Sequence, residues 1–309
     1  MDMISASGRV KSLEKKFLSA GTMDKLIQAN SYGDFAGMLS SSFYDIPPGA
    51  KTPGEIEEVF EKSRAALTGE MHKNLPEHLY NYFILKYDYL NLGLLVENQP
   101  NGEKRYTDYA SVDYRILREA FKTGNHKNLP PFLKKPAALI AGNKNGGMED
   151  MSLFLKKSYL DTARELIERE NSSMISYYWG IETDFSNIAV FIQKKISGVR
   201  PEKDDFAEGG HIRKERFAGG DSLWEDVKKE YRGTEAPIGA EIFEREKYNC
   251  IMRYIVRGRA VSFGVETVFF YFAAREIEME IVKRLAMAKF YNIPPQTLSE
   301  WGVSCYRYA

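Results

Sequence analysis

"LKYDYLNLGLL" at residues 85–95 and "IETDFSNIAVF" at residues 181–191 decide the fold. Each writes Asp, an aromatic, any residue, Asn and then Leu or Ile into a run whose apolar residues recur at helical spacing. Phe83, Ile84, Tyr87, Asn91, Leu94 and Leu95 line one side of the first; Tyr178, Ile181, Phe185, Ile188 and Ile192 line the second. Asp88 and Asn91, like Asp184 and Asn187, stand three apart and share a helix face. Asp88 and Asp184 are 96 positions apart, and 94 positions further on lies Glu278, midway along a third apolar helix, with Ile281 where the Asn would fall. Two clear copies and a degenerate third predict three related helical units, each ending in a long helix. Their expected bounds are 1–104, 105–203 and 204–309.

The rest of the chain follows the same period. Helices are expected over 7–18, in two short pieces within 22–44 (Ser31 capping the second), and over 53–67, 78–97, 107–121, 148–170, 172–197, 223–231, 238–256, 264–291 and 295–301. "DIPPGAKTPGE" at 45–55 and "ENQPNGEKR" at 97–105 read as breaks. The stretch 127–147 reads as a loop with room for a short helix. The glycine- and charge-rich stretch 197–221 is the best candidate for a linker or mobile segment. No alternating strand pattern is bounded by hairpin turns, so the fold class is all-α.

Composition excludes several functions. The 309 residues are 43% hydrophobic and 28% charged, enough to bury a core in two or three compact units. Lys and Arg together number 43, as do Asp and Glu, so the global basic excess of a nucleic-acid binder is missing. Cys250 and Cys305 read as free thiols in a reducing compartment. The N-terminus has no signal-peptide pattern, and the longest apolar stretch, "TVFFYFAA" at 267–274, is far short of the roughly 20 residues a membrane span needs. A soluble chain that reaches membranes through a partner is expected.

The motif census is empty. "AGNKNGG" at 141–147 lacks the lysine–hydroxyl pair of a phosphate loop. His72, His78, His126 and His211 form no H-E-x-x-H, and Glu208 with His211 makes one E-x-x-H where a di-metal carboxylate bundle needs two. No C-x-x-C and no serine nucleophile elbow occur. Glu276 and Glu280 share a face suited to a charged surface with Arg275, Lys283 and Arg284, while Glu278 points away. No catalytic residue, metal or cofactor is therefore expected. A buried Asp is costly unless bonded. Asp88 and Asp184 are thus expected to accept hydrogen bonds from neighbouring helices; contact with another protein is the second reading and catalysis a distant third.

Taken together, several stretches resemble the C subunits of the V-type (A-type) ATPases of prokaryotes, a family related to the d subunits of the eukaryotic V-ATPases. "SGRVKSLEKKFLS" is similar to that family's opening helix through Arg9, Val10 and Leu13. The two acid-x-x-Asn helices match, as does the glycine pair of "DFAEGGHI". "FGVETVFFYFAAREIEMEIVKRLAMAKFYNIP" matches at Phe263, Gly264, Glu266, Tyr271, Glu278, Lys289 and Pro294. The chain departs from the pattern at Gly180 and Lys283, where Arg is usual, and at Ile281, where Asn is common. The resemblance implies three similar helical lobes arranged as a pseudo-threefold funnel, with no catalysis. It implies a cytoplasmic place between central-stalk subunits D and F and the membrane rotor ring of proteolipid subunits, passing on rotation coupled to proton or sodium transport. Arg9, and Arg213, Lys214 and Arg216 in the glycine-rich stretch, are candidate partner contacts. A helical-repeat scaffold unrelated to ATPases, or an all-α enzyme with an unrecognised pocket, are the alternatives.

Overall fold

A computed structural model describes residues 2–39, 42–97, 106–142, 148–220, 222–235, 238–239, 242–258 and 260–300. Residues 143–147 of the glycine-bearing loop, most of the polar break at 97–105, Trp301 and Cys305 lie outside the described residues. The described residues form α-helices and no strand, so the chain is all-α. The helices are α1 (Met3–Leu13), α2 (Ala20–Gln28), α3 (Tyr32–Leu39), α4 (Pro53–Asn74), α5 (Glu77–Val96), α6 (Tyr114–Thr123) and α7 (Pro131–Gly142). They continue with α8 (Met148–Glu168), α9 (Ser173–Ile196), α10 (Lys214–Gly219), α11 (Leu223–Glu230), α12 (Phe243–Gly258), α13 (Val265–Phe290) and α14 (Pro295–Glu300).

Local chemistry starts these helices. Ser19 Oγ accepts from Thr22 N at 3.1 Å and Ser31 Oγ from Asp34 N at 3.1 Å, each satisfying an orphan N–H of a first turn. Thr52 caps α4 with Pro53 just inside, and Glu55 reaches back to Lys51 N at 3.2 Å. Asp113 caps α6, and Gly124 closes it at φ 70°, a left-handed conformation that suits glycine.

Contacts gather the chain into two compact units. One comprises Pro76–Asn171 with Asp204–Gly209. In it α5 lies along α8, where Tyr89 Oη meets Ser158 Oγ at 2.8 Å and Thr162 Oγ1 at 3.0 Å; α6 packs on α5 and α7, and α7 on α8. The other comprises Met1–Leu75, Ser172–Lys203 and Gly210–Ala309. Its centre is α13, against which α1, α3, α4, α9 and α12 all pack. Of the 26 residues of α13, 18 are buried, on every side, as befits a helix that is apolar all round. Phe269, Phe270 and Phe272 are fully enclosed, each contributing about 1.5–3 kcal/mol by burial.

Three expectations need correction. The helix expected over 107–121 begins only at Tyr114, because the residues before it spend their polar groups on α5. The stretch 197–221 is no bare linker: it contains α10, and Phe206, Ala207, Ile212 and Phe217 are buried. Arg275 does not sit on a charged surface but in the core, 5% exposed, held by Glu278.

Candidate functional site

Three buried carboxylates organise the molecule: Asp88 on α5, Asp184 on α9 and Glu278 on α13, each fully enclosed. Asp88 Oδ1 accepts from Ser111 N and Ser111 Oγ, both at 2.9 Å. One turn on, Asn91 holds the same strand of backbone: its Nδ2 donates to Thr107 O and its Oδ1 accepts from Thr107 N, each at 3.0 Å. Asp88 Oδ2 has no hydrogen-bond partner. Burial pushes the Asp88 carboxyl up to about 7, against the pull of the bonds from Ser111.

Asp184 is served more fully. Its Oδ2 accepts from His211 N at 2.8 Å, Ile212 N at 3.1 Å and Tyr231 Oη at 2.5 Å. Burial again raises the carboxyl to about 7, opposed first by the Tyr231 hydroxyl and then by the two amides. Asn187 lies one turn on, 2% exposed. Two glycines make room. A Cβ built on Gly210 would overlap Asp184 Oδ1, so only glycine lets the backbone come this close. A Cβ on Gly180 would overlap the His211 ring, which stacks on Tyr177 at 3.9 Å and meets Tyr177 O through Nε2 at 2.9 Å. The absence of a side chain at Gly180 is thus filled by His211.

Glu278 completes the set. Its Oε2 accepts from Leu18 N at 2.8 Å, and its Oε1 from Tyr44 Oη at 3.1 Å and Arg275 Nη1 at 2.8 Å. Burial raises this carboxyl too, with the Arg275 charge the main opposing influence. The guanidinium stacks over the Phe43 ring at 3.4 Å and lines a cavity of about 250 Å³ walled by Val10, Leu13, Leu67, Tyr271 and Phe272. Ile281, where the other copies carry Asn, is buried and apolar.

The three sites share one register. Val112, Ile212 and Leu18 immediately precede Asp113, Arg213 and Ser19, the N-terminal flanking residues of α6, α10 and α2. All three are buried aliphatics; the amides of Ile212 and Leu18 donate to the acid of a long helix, and in the first copy the donor is Ser111, the residue before Val112. Each carboxylate therefore pins the approach to a short helix. The first two donor segments follow their acids by 23 and 27–28 residues, whereas Leu18 lies 260 residues before Glu278. The beginning of the chain completes the third copy. Tyr231 after α11 and Tyr44 after α3 play one further part in common, each placing a hydroxyl on the acid.

Arrangements of this kind hold backbone; they do not present a reacting group to solvent. Among the described residues no three His, Cys, Asp or Glu side chains are grouped to hold a metal ion. Sequence reasoning missed Ser111, Leu18, Tyr44, Tyr231 and the inward turn of Arg275. The recurring pattern of a lone aliphatic just before a helix start, in "VD", "IR" and "LS", was the available signal. The surface candidates bond none of the three acids, although Arg9 lines the same cavity as Arg275 and Arg213 follows Ile212 directly. Arg9 is half exposed and pairs with Glu70 at 2.8 Å; Arg213 is exposed; Lys214 is half-buried; Arg216 bonds Asp226 at 2.5 Å.

Comparison with known proteins identifies a family and a relative. The sequence model of the ATP synthase (C/AC39) subunit family matches residues 6–300. The chain is 20% identical to the C subunit of the A-type ATP synthase of Methanocaldococcus jannaschii, over 96% of this chain and 85% of that protein.

Proposed function

Because the chain belongs to the ATP synthase (C/AC39) subunit family, we propose that it is the non-catalytic central-stalk component of a rotary ATPase or ATP synthase. In this reading it joins a shaft of subunits D and F to the membrane rotor ring of proteolipid subunits, at the cytoplasmic face, and rotation coupled to proton or sodium transport passes through it. No helix among the described residues is long and apolar enough to cross a membrane, and in this reading attachment runs through contacts with the other subunits. Three related lobes, 1–104, 105–203 and 204–309, set as a funnel, are part of the proposal.

The observation that carries the reading is the thrice-repeated carboxylate latch, found in a chain matched almost end to end by the family. A coupling element must twist little under load. Packed interiors deform little, and a buried acid bonded to two or three donors resists reorientation of the segment it holds. Arg9, Arg213, Lys214 and Arg216 serve as rim contacts. Because Arg9 and Arg216 already pair with Glu70 and Asp226, a partner's carboxylate competes with an existing bond, and their loss weakens association modestly. The test is capture of a purified D–F complex by this chain, with reconstitution of the rotary assembly in its presence and absence. Capture, together with loss of ion-coupled activity when the chain is omitted, is the expected result. Failure to bind D–F, with full coupled activity in its absence, refutes the reading in favour of an unrelated helical scaffold.

A further inference from the structure

The charge of the chain sums to zero, but it is not evenly spread. Residues 114–142, from the start of α6 to the end of α7, hold six Lys or Arg and a single acid, Glu119, which leaves the rest of the chain with an excess of five acids. Both helices bury one face, through Leu117 and Ala120 on α6 and Leu133, Pro136, Ala137 and Ile140 on α7. The cations occupy the other. Arg115, Arg118 and Lys122, at i, i+3 and i+7, fall in one narrow stripe of α6 and are all exposed. Lys127 lies in the connection, and Lys134 and Lys135 stand on the exposed side of α7. Arg115 is engaged with Asp113 at 2.9 Å, while Arg118, Lys122, Lys127, Lys134 and Lys135 have no carboxylate in salt-bridge reach among the described residues. Two aliphatic side chains stand among them, Ile116 at 42% and Leu139 at 48% exposure.

We propose that the outward face of α6 and α7 docks directly on an anionic membrane surface, its lysines and arginines meeting lipid phosphate and carboxylate headgroups. Clusters of four to eight Lys and Arg on helices near a membrane are attracted by anionic leaflets. The apolar faces of α6 and α7 are already spent inside the protein, so the contact is electrostatic, with Ile116 and Leu139 reaching only the headgroup layer. An acidic protein surface is the less favoured occupant. Protein interface cores are enriched in aromatics and Arg and depleted in Lys, whereas four of these six cations are Lys and no exposed residue of either helix is aromatic. The inference stands on this charge pattern and goes beyond the rotary assignment, since it concerns the chain alone.

The experiment is flotation of the full chain, with no other protein present, on phosphatidylcholine vesicles with and without about 30% phosphatidylserine. Binding is expected only with phosphatidylserine and is lost as salt rises from about 0.1 M to about 0.5 M, which shortens the screening length. The triple variant Lys122→Glu, Lys134→Glu, Lys135→Glu, checked for unchanged helicity, loses at least about tenfold in partitioning. Lys228→Glu with Lys229→Glu, a control on exposed α11 lysines, binds as the parent does. Failure to float, equal flotation on neutral vesicles, or a triple variant that binds like the parent overturns the proposal. If nothing floats but the triple variant loses capture of purified partner proteins, the face belongs to an acidic protein instead. Because the assay contains this chain alone, a failed D–F capture leaves its outcome untouched.

Discussion

Replacing Gly210 with alanine sets one methyl group against one carboxylate oxygen. The new Cβ would overlap Asp184 Oδ1, so either the carboxylate or the 210–212 backbone must move. Either shift breaks the bonds from His211 N and Ile212 N, at 2.8 and 3.1 Å, and disturbs the one from Tyr231 Oη. Overpacking of this kind costs about 1–3 kcal/mol, and a buried donor left unsatisfied adds about 1–3 kcal/mol. A loss of roughly 2–6 kcal/mol follows for Gly210→Ala. Asp184→Ala orphans the same donors but also removes a buried charge, and costs about 2–4 kcal/mol. In the double variant the overlap is gone, so the two costs are not additive: the second substitution adds little, with a coupling of about 1–3 kcal/mol. Urea unfolding reads the midpoints, and hydrogen exchange at the His211 and Ile212 amides reads the local effect if the two units unfold separately. A Gly210→Ala protein with parental midpoint and protected amides, or strictly additive costs, refutes the latch.

Asp88 tests the same idea through pH. Its folded carboxyl is raised to about 7, above the unfolded value, so the folded state holds the extra proton. Its stabilising contribution is complete below about pH 4 and is lost as pH climbs through 7; Asp88→Asn, neutral throughout and with Oδ2 unpartnered in the parent, should flatten the stability–pH curve by about 4 kcal/mol between those limits. A curve unchanged by the substitution argues that Asp88 stays ionised. Glu278→Gln leaves the Arg275 guanidinium buried without a counter-charge and should cost about 3–5 kcal/mol, while Glu278→Gln with Arg275→Met recovers much of it; thermal melts of the three variants decide. Lys289 Nζ donates to Ile27 O at 2.5 Å and Ala29 O at 2.7 Å, closing the C-terminal end of α2, so Lys289→Met should lose about 1–3 kcal/mol and raise exchange in that turn first.

The repeat has a mechanical reading that the spacing alone does not contain. In two copies the acid and its donors are joined by a short connection, but in the third the chain's first residues return to the last long helix. Detaching residues 1–18 should therefore strip Glu278 of its amide donor while leaving Asp88 and Asp184 bonded.

Local information was enough for much of this molecule. Helical periodicity, a Ser cap, and proline at a helix start act within a few residues, so the long helices carrying Asp88, Asp184 and Glu278, the cap at Ser31 and the start of α4 at Pro53 are legible in the sequence. The spacing of the three acids is legible for the same reason. What those acids bond to is not. Ser111, Ile212 and Leu18 reach their carboxylates only because packing brings segments 23, 28 and 260 residues distant to the same depth on a long helix. The start of α6 at Tyr114 rather than 107 was likewise decided at a distance: Asn91 and Asp88 take up the polar groups of Thr107 and Ser111, which a helix would have used internally. Arg275 looks like a surface cation by its charged neighbours, yet it lies in the core because Glu278, one turn on, and the Tyr44 hydroxyl are there to receive it. Hydrophobic pattern says which face of a helix turns inward; which donors wait there, and so whether a buried charge can be tolerated, belongs to the tertiary structure, because desolvation is offset only by partners the fold itself delivers.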